Sequence, residues 1–187
     1  MGKLIVSMMT SLDGYVEGPA RELDWPVESA GFNAYCDEML DHTDTLLFGR
    51  VSYEMMVAYW PAAETEPRDD WERDFARRMN TVPKLVLSRT LAEATWRNTR
   101  VVRDHVGAEL EALKRRAAKD CFVFGGAGVI ASLRQLGLID EYRVIVNPVV
   151  LGRGTPLFTD VEARVPLTLV STRTLDGGPV VLTYRPA

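Results

Sequence analysis

"CFVFGGAGVIASLRQLG", residues 121–137, joins a short apolar run to an apolar periodic segment through glycine. Cys121 to Phe124 form an apolar run of the length of a buried strand, and Val129, Ile130, Leu133 and Leu136 then recur at helical spacing. Gly137 stands where a helix ends on a left-handed residue. Between strand and helix, Gly126, Gly128 and Ala131 spell G-x-G-x-x-A. Glycines at such a turn let the backbone approach an anion, and the first N–H groups of the helix then face it with the positive end of the dipole. A plain tight corner is the competing reading of the glycines alone. An ordinary Rossmann frame does not fit. The motif lies two-thirds of the way along the chain, and the acidic pair Asp140–Glu141 follows Gly126 by only about 14 residues and precedes a strand. That fingerprint wants an acid about 20 residues on, at a strand end.

The 187 residues suit one domain, 1–187, with a sizeable core. A hydrophobic fraction of 47% and a net charge of -4 exclude a basic nucleic-acid footprint and an attraction to anionic membranes. No apolar run reaches membrane-spanning length, and the N-terminus lacks a signal peptide's apolar region. Cys36 and Cys121, far apart and in apolar surroundings, read as reduced core thiols of a cytoplasmic protein. With His42 and His105 they show no metal-ligand spacing, so no metal is expected.

"KLIVSMM" (3–9) reads as a buried strand, and residues 10–26 as a long loop turning at Asp13–Gly14. A helix follows, with Phe32, Tyr35, Cys36, Met39 and Leu40 on one apolar face. "DTLLFGR" (44–50) is a strand, and Val51–Trp60 a helix ended by Pro61. Asp69 or Asp70 caps a helix carrying Trp71, Phe75 and Met79. "KLVLS" (84–88) and "TRVVR" (99–103) are strands. Asp104 caps a helix with Val106, Leu110, Leu113 and Ala117 inward. "EYRVIVNPVVL" (141–151) is a further strand, and 166–175 with 179–185 form an antiparallel pair around "DGG". The pattern predicts a three-layer α/β fold, its mixed, mainly parallel sheet flanked by helices and closed by antiparallel C-terminal strands. Ligands then belong at the carboxyl ends of the strands. Three of those ends carry Gly49–Arg50, Ser88–Arg89–Thr90 and Gly125–Gly126.

"SLDGYVEG" (11–18), "LLFGRVSYEMM" (46–56), "KLVLSRT" (84–90), "FVFGGAGVIASLRQLGLIDEYRV" (122–144) and "VVLGRGTPLF" (149–158) together resemble the dihydrofolate-reductase-like superfamily. The branch they resemble most is the C-terminal reductase domain of the bifunctional riboflavin-biosynthesis deaminase-reductase. The likeness runs in order along nearly the whole chain. It implies a dihydrofolate-reductase-like fold, NADPH as cofactor, a homodimer, and hydride transfer to a pterin, pyrimidine or related heterocycle, as in 5-amino-6-(5-phosphoribosylamino)uracil reductase. By the same resemblance, Gly49, Arg50 and Ser52 fall where the family places cofactor phosphates, and Ser88 and Arg89 where it holds the adenosine 2′-phosphate. Gly125, Gly126, Ala127, Gly128, Val129 and Ile130 match the turn that cradles the pyrophosphate, and Met9 falls near the nicotinamide.

The departures concern the substrate. The chain shows no H-x-E and no P-C-x-x-C deaminase signature. Counting back from Gly49–Arg50, the pterin-binding carboxylate of a dihydrofolate reductase falls at Asn33, with Glu28 and Asp37 as alternatives one turn away. Residues 61–83 lack the basic stretch that grips a ribose phosphate. Asn33, Trp25 and Phe158 are candidate substrate contacts. Asp13 and Asn33 are candidate catalytic groups, although Asp13 also suits a structural role in its Asp-Gly turn. The alternative to a reductase is a nucleotide-binding protein of the same fold without efficient catalysis.

Overall fold

A computed structural model describes residues 1–187. In chain order the strands are β1 (Leu4–Thr10), β2 (Tyr15–Glu17), β3 (Thr43–Gly49), β4 (Lys84–Leu87), β5 (Thr99–Val102), β6 (Asp120–Val123), β7 (Glu141–Val146), β8 (Thr155–Pro156), β9 (Leu167–Thr174) and β10 (Val180–Pro186). The helices are α1 (Ala30–Asp41), α2 (Arg50–Ala63), α3 (Asp70–Thr81), α4 (Val106–Arg116) and α5 (Ala127–Gln135).

Alternation along the central strands builds two cores. Leu4, Val6, Leu47, Leu85, Cys121 and Val123 face α4 and α5, where they meet Leu110, Leu113, Ile130 and Leu133. Their neighbours Ile5, Leu46, Phe48, Val86 and Phe122 point the other way, onto Met39, Tyr53, Phe75 and Met79 of α1, α2 and α3. Strands apolar on both faces demand helices on both faces, and the three-layer architecture follows. The sheet order is β5-β4-β3-β6-β1-β7-β10-β9. β5 through β7 pair in parallel, and β10 and β9 close the sheet antiparallel. No helix is long and apolar enough to cross a membrane.

Several local expectations are corrected. Residues 10–26 are not all loop, because β2 pairs with β8 in a small second sheet. Gly154 permits that pairing, since a Cβ there would collide with the Glu17 carbonyl. α2 does not stop at Pro61 but runs through it to Ala63. Trp60 packs on Phe75 at 5.1 Å and Ala63 is buried, so tertiary contact outweighs the missing N–H. α4 is capped by His105 in the left-handed region (φ 52), not by Asp104. β7 stops at Val146, where Asn147 turns inward to bond Thr10, Val27 and Ile145. Leu136 is 55% exposed, because α5 has ended beneath it. Gly137 (φ +66) does close α5, with its N–H on Arg134 O at 2.9 Å and Leu138 N–H on Leu133 O at 3.1 Å.

Candidate active site

The neighbouring strands β4, β3, β6 and β1 end side by side, which brings Ser88–Arg89, Gly49–Arg50, Gly125–Gly126 and Met9 to one edge of the sheet. Helix capping varies around the sheet, and α4 begins at His105 with no side-chain cap bond. α1 and α3 begin with Ser29 and Asp69, whose side chains accept from Phe32 N–H at 3.1 Å and Glu72 N–H at 2.7 Å. α2 and α5 begin with Gly49 and Gly126, which offer no side-chain cap. The first N–H groups of both helices are thus left to whatever occupies the crevice.

Glycine sets how closely the two helix ends approach. A Cβ at Gly49 would sit 2.7 Å from Val129 Cγ2, and one at Gly125 would collide with the Ser52 hydroxyl. Gly125 and Gly126 both have positive φ, +87 and +80. Gly125 N–H donates to the Met8 thioether at 3.1 Å, tying the turn to β1.

The first turn of α5 separates two depressions. On one side lies a cavity of about 360 Å³ whose wall includes Met9, Ser52 and Gly125 to Gly128. Five of the chain's seven methionines line it: Met8, Met9, Met39, Met55 and Met56. Its polar groups are few. Tyr35 Oη lies 3.5 Å from Ser7 Oγ, both buried. Burial pushes the Tyr35 hydroxyl above the usual tyrosine range, against the pull of Ser7 and Arg143. Burial also pushes the Cys36 thiol up to about 12, with the Asp37 charge adding to it. Glu17 accepts from Thr155 Oγ1 at 2.7 Å, and Arg21, with φ 63, stands at the mouth. On the other side of α5 lies a shallower depression lined by Ser88, Arg89, Arg103, His105 and Val129. Arg89 is exposed and carries no ion pair, while Arg103 pins the Ser88–Ala92 loop through the Leu91 and Ala92 carbonyls at 2.8 and 2.9 Å.

The residues expected from sequence divide accordingly. Met9, Ser52, Gly125, Gly126, Ala127 and Gly128 share the first cavity; Ser88, Arg89 and Val129 share the second; Gly49 stands beneath Val129. Ile130 is fully buried in the core under α5 and reaches neither. Arg50 belongs to neither wall, its guanidinium lying 3.7 Å from Glu54.

The substrate and catalytic candidates need correction. α1 presents Phe32, Tyr35, Cys36 and Met39 to the cavity, and Asn33, turned about 100° from Phe32, is outside that stripe. Glu28 pairs with Arg68, and Asp37 with Arg78 and the Trp71 indole, so neither replaces it. Trp25 is outside the cavity wall and bonds the Glu22 carbonyl; Phe158 packs edge-on against Tyr142 at 5.9 Å. Asp13 is the organiser of its turn. Its carboxylate accepts from Ser11 Oγ at 2.7 Å, Leu151 N–H at 3.1 Å and Gly152 N–H at 2.7 Å, and these bonds, Ser11's foremost, hold its pKa below the ordinary value. Tyr35, Cys36, Glu17 and Arg21 went unread as site residues. Tyr35 and Cys36 show only in the apolar stripe of α1, which core packing explains equally well, and Glu17 and Arg21, outside α1, carry no such signal.

Comparison with known proteins agrees with this architecture. The chain is 36% identical over 185 residues to the uncharacterized protein YyaP of Bacillus subtilis (strain 168), covering 98% of this chain and 94% of that one. Among solved structures, a putative riboflavin biosynthesis protein from Shewanella sp. PV-4 superposes with a TM-score of 0.76 at 24% identity, covering 99% of each chain. Dihydrofolate reductase from Enterococcus faecalis, complexed with NADP(H), superposes with a TM-score of 0.65 at 15% identity, covering 99% of this chain and 96% of that one. The fold is dihydrofolate-reductase-like. The family model for the RibD C-terminal domain matches residues 2–181, and the chain belongs to that family.

Proposed function

We propose that this protein is an NADPH-dependent reductase that delivers hydride to a pterin, a pyrimidine or a related heterocycle. The observation that carries the reading is the pair of uncapped helix N-termini, α2 and α5, brought together by Gly49, Gly125 and Gly126 at adjacent strand ends. Such a cradle suits a pyrophosphate: backbone N–H groups converge on it, and a Cβ at Gly125 would fill space already taken by Ser52. Ser88 and Arg89, across the first turn of α5, are the groups to hold an adenosine 2′-phosphate. Met9, at the end of β1, would floor the nicotinamide.

The reduced nicotinamide supplies the hydride when bound. The chain's part is to orient both partners and exclude water. The apolar wall of the first cavity does the latter. The hydroxyl and thiol groups on its wall are Ser7, Tyr35, Cys36, Ser52 and Thr155, and Glu17 is its carboxylate. The two free cysteines accord with a reducing, cytoplasmic setting. We further assign a homodimer. β9 is an eight-residue edge strand with Leu169 and Val170 both exposed, an edge that a second copy would cover. The test of function is the decay of NADPH absorbance over a panel of dihydropterins, pyrimidines and simple conjugated heterocycles. Turnover of one of them supports the reading, and NADPH binding without turnover of any favours the non-catalytic alternative.

A further inference from the structure

Resting on the dinucleotide reading above, we infer that the first cavity takes an uncharged, largely apolar fused heterocycle bearing a conjugated C=N or C=O. Its heteroatom is anchored by the Tyr35 hydroxyl, and phosphorylated ribosyl pyrimidines are excluded.

Charge and softness of the wall decide what it accepts. A phosphoryl group needs several converging cations or free N–H donors. Beyond the helix N-termini assigned to the dinucleotide, this cavity offers one guanidinium, Arg21, and sets the Glu17 carboxylate on the same wall. Leu23, the neighbour of Arg21 on that rim, is apolar and 40% exposed. Tyr35 and Cys36 are uncharged groups at neutral pH, and burial raises both pKa values further; the Arg143 guanidinium that acts on the Tyr35 hydroxyl lies outside the cavity wall and pairs with Glu141. No carboxylate stands on the cavity face of α1 to pair with an amino-pyrimidine edge.

What remains is polarisable surface. Met39, Met55 and Met56 come from two helices, with Phe32 and Phe124 beside them. Thioethers and aromatic edges favour flat, apolar rings and adapt to their outline. One directional contact is available at depth. The Tyr35–Ser7 pair is long, at 3.5 Å, so the phenol proton can turn to a ligand acceptor at little cost. A ring with one accepting heteroatom satisfies that hydroxyl, and a hydrocarbon leaves it unpaired.

The test uses the full chain carrying 13C-methyl methionine and 15N backbone label. NADP+ is added first, and then quinoxaline, naphthalene or uridine 5′-monophosphate. NADP+ is expected to shift the amides of Gly125, Gly126 and Gly128. On the NADP+-saturated protein, quinoxaline is expected to shift the methyls of Met39, Met55 and Met56, while exposed Met1 and core Met79 stay still and report an intact fold. Quinoxaline should bind about fivefold tighter than naphthalene, and Tyr35→Phe should erase that difference without weakening naphthalene. A purely structural role for Tyr35 would weaken both alike and overturn the anchor. Shifts of the three methyls by uridine 5′-monophosphate, or none with quinoxaline, overturn the substrate class. Amides unmoved by NADP+, with the methyls still responding to quinoxaline, refute the dinucleotide reading and leave the cavity assignment standing.

Discussion

Replacing Gly126 by valine tests the glycine turn where strain and ligand binding separate cleanly. Gly126 caps α5 at φ 80, ψ 101, a region that L-residues rarely enter and β-branched ones resist. The nearest atom to a new Cβ is Ser52 Oγ at 3.6 Å, so the fold loses little to collision and chiefly to backbone strain. That strain is about 2 kcal/mol. For a chain of this size it lowers Tm by about 4–8 °C. Binding suffers more, because the valine side chain stands in the anion's seat over the first N–H groups of α5. Loss of two charge-assisted hydrogen bonds costs about 3–6 kcal/mol, a weakening of at least a hundredfold. Gly137→Ala is the control. It imposes a left-handed alanine (φ +66) at the other end of the same helix, with open space around it, and should cost a few degrees and no affinity. Thermal unfolding gives the strain, and fluorescence titration with NADPH gives the affinity. A folded Gly126→Val protein that binds NADPH as the parent does would refute the phosphate assignment.

NADPH should bind at least tenfold tighter than NADH, about 1.4 kcal/mol, and Arg89→Gln should remove most of the preference; equal affinities in the parent would sink the 2′-phosphate assignment. Asn33→Asp should leave dihydrofolate turnover unchanged, since Asn33 is outside the cavity wall, and a rise on spectrophotometric assay would put that position back in the site. Lys84 is buried, donates to the Asn80, Val82 and Arg97 carbonyls, and has its pKa lowered to about 8, chiefly by burial and then by the Arg97 charge. Between pH 8 and 10.5 the unfolded chain holds that proton and the folded one releases it, so stability relative to Lys84→Met should rise with pH across this window, by about 3 kcal/mol. A flat difference in urea unfolding from pH 7 to 10 would contradict it. Light scattering should report twice the 20.9 kDa chain mass, and Leu169→Glu should shift it toward the monomer; a 20.9 kDa parent would exclude the β9 interface.

The layers of the fold were legible because the central strands alternate over two apolar faces. Leu46, Leu47 and Phe48 need helices on both sides, whatever the loops do. The glycine turn was legible because Gly125 and Gly126 have a local reason to be glycine that sequence spacing displays. The β2–β8 pairing was not, since β8 spans only Thr155 and Pro156 and its partner is about 140 residues away. Side-chain direction on α1 was the chief loss. Register counted from Gly49–Arg50 lands on Asn33, and an error of one residue turns the face by about 100°. The stripe of Phe32, Tyr35, Cys36 and Met39 was visible as apolar periodicity, but periodicity does not tell a core from a cavity wall.

A crystal structure of the protein grown with saturating NADPH measures where the dinucleotide sits. The pyrophosphate should lie against the first N–H groups of α5 and beside Ser52, the 2′-phosphate against Ser88 and Arg89, and the nicotinamide ring over Met9 facing the methionine-lined cavity. NADPH bound with its pyrophosphate away from Gly125–Gly128, or no NADPH in the crystal at saturating concentration, would contradict it.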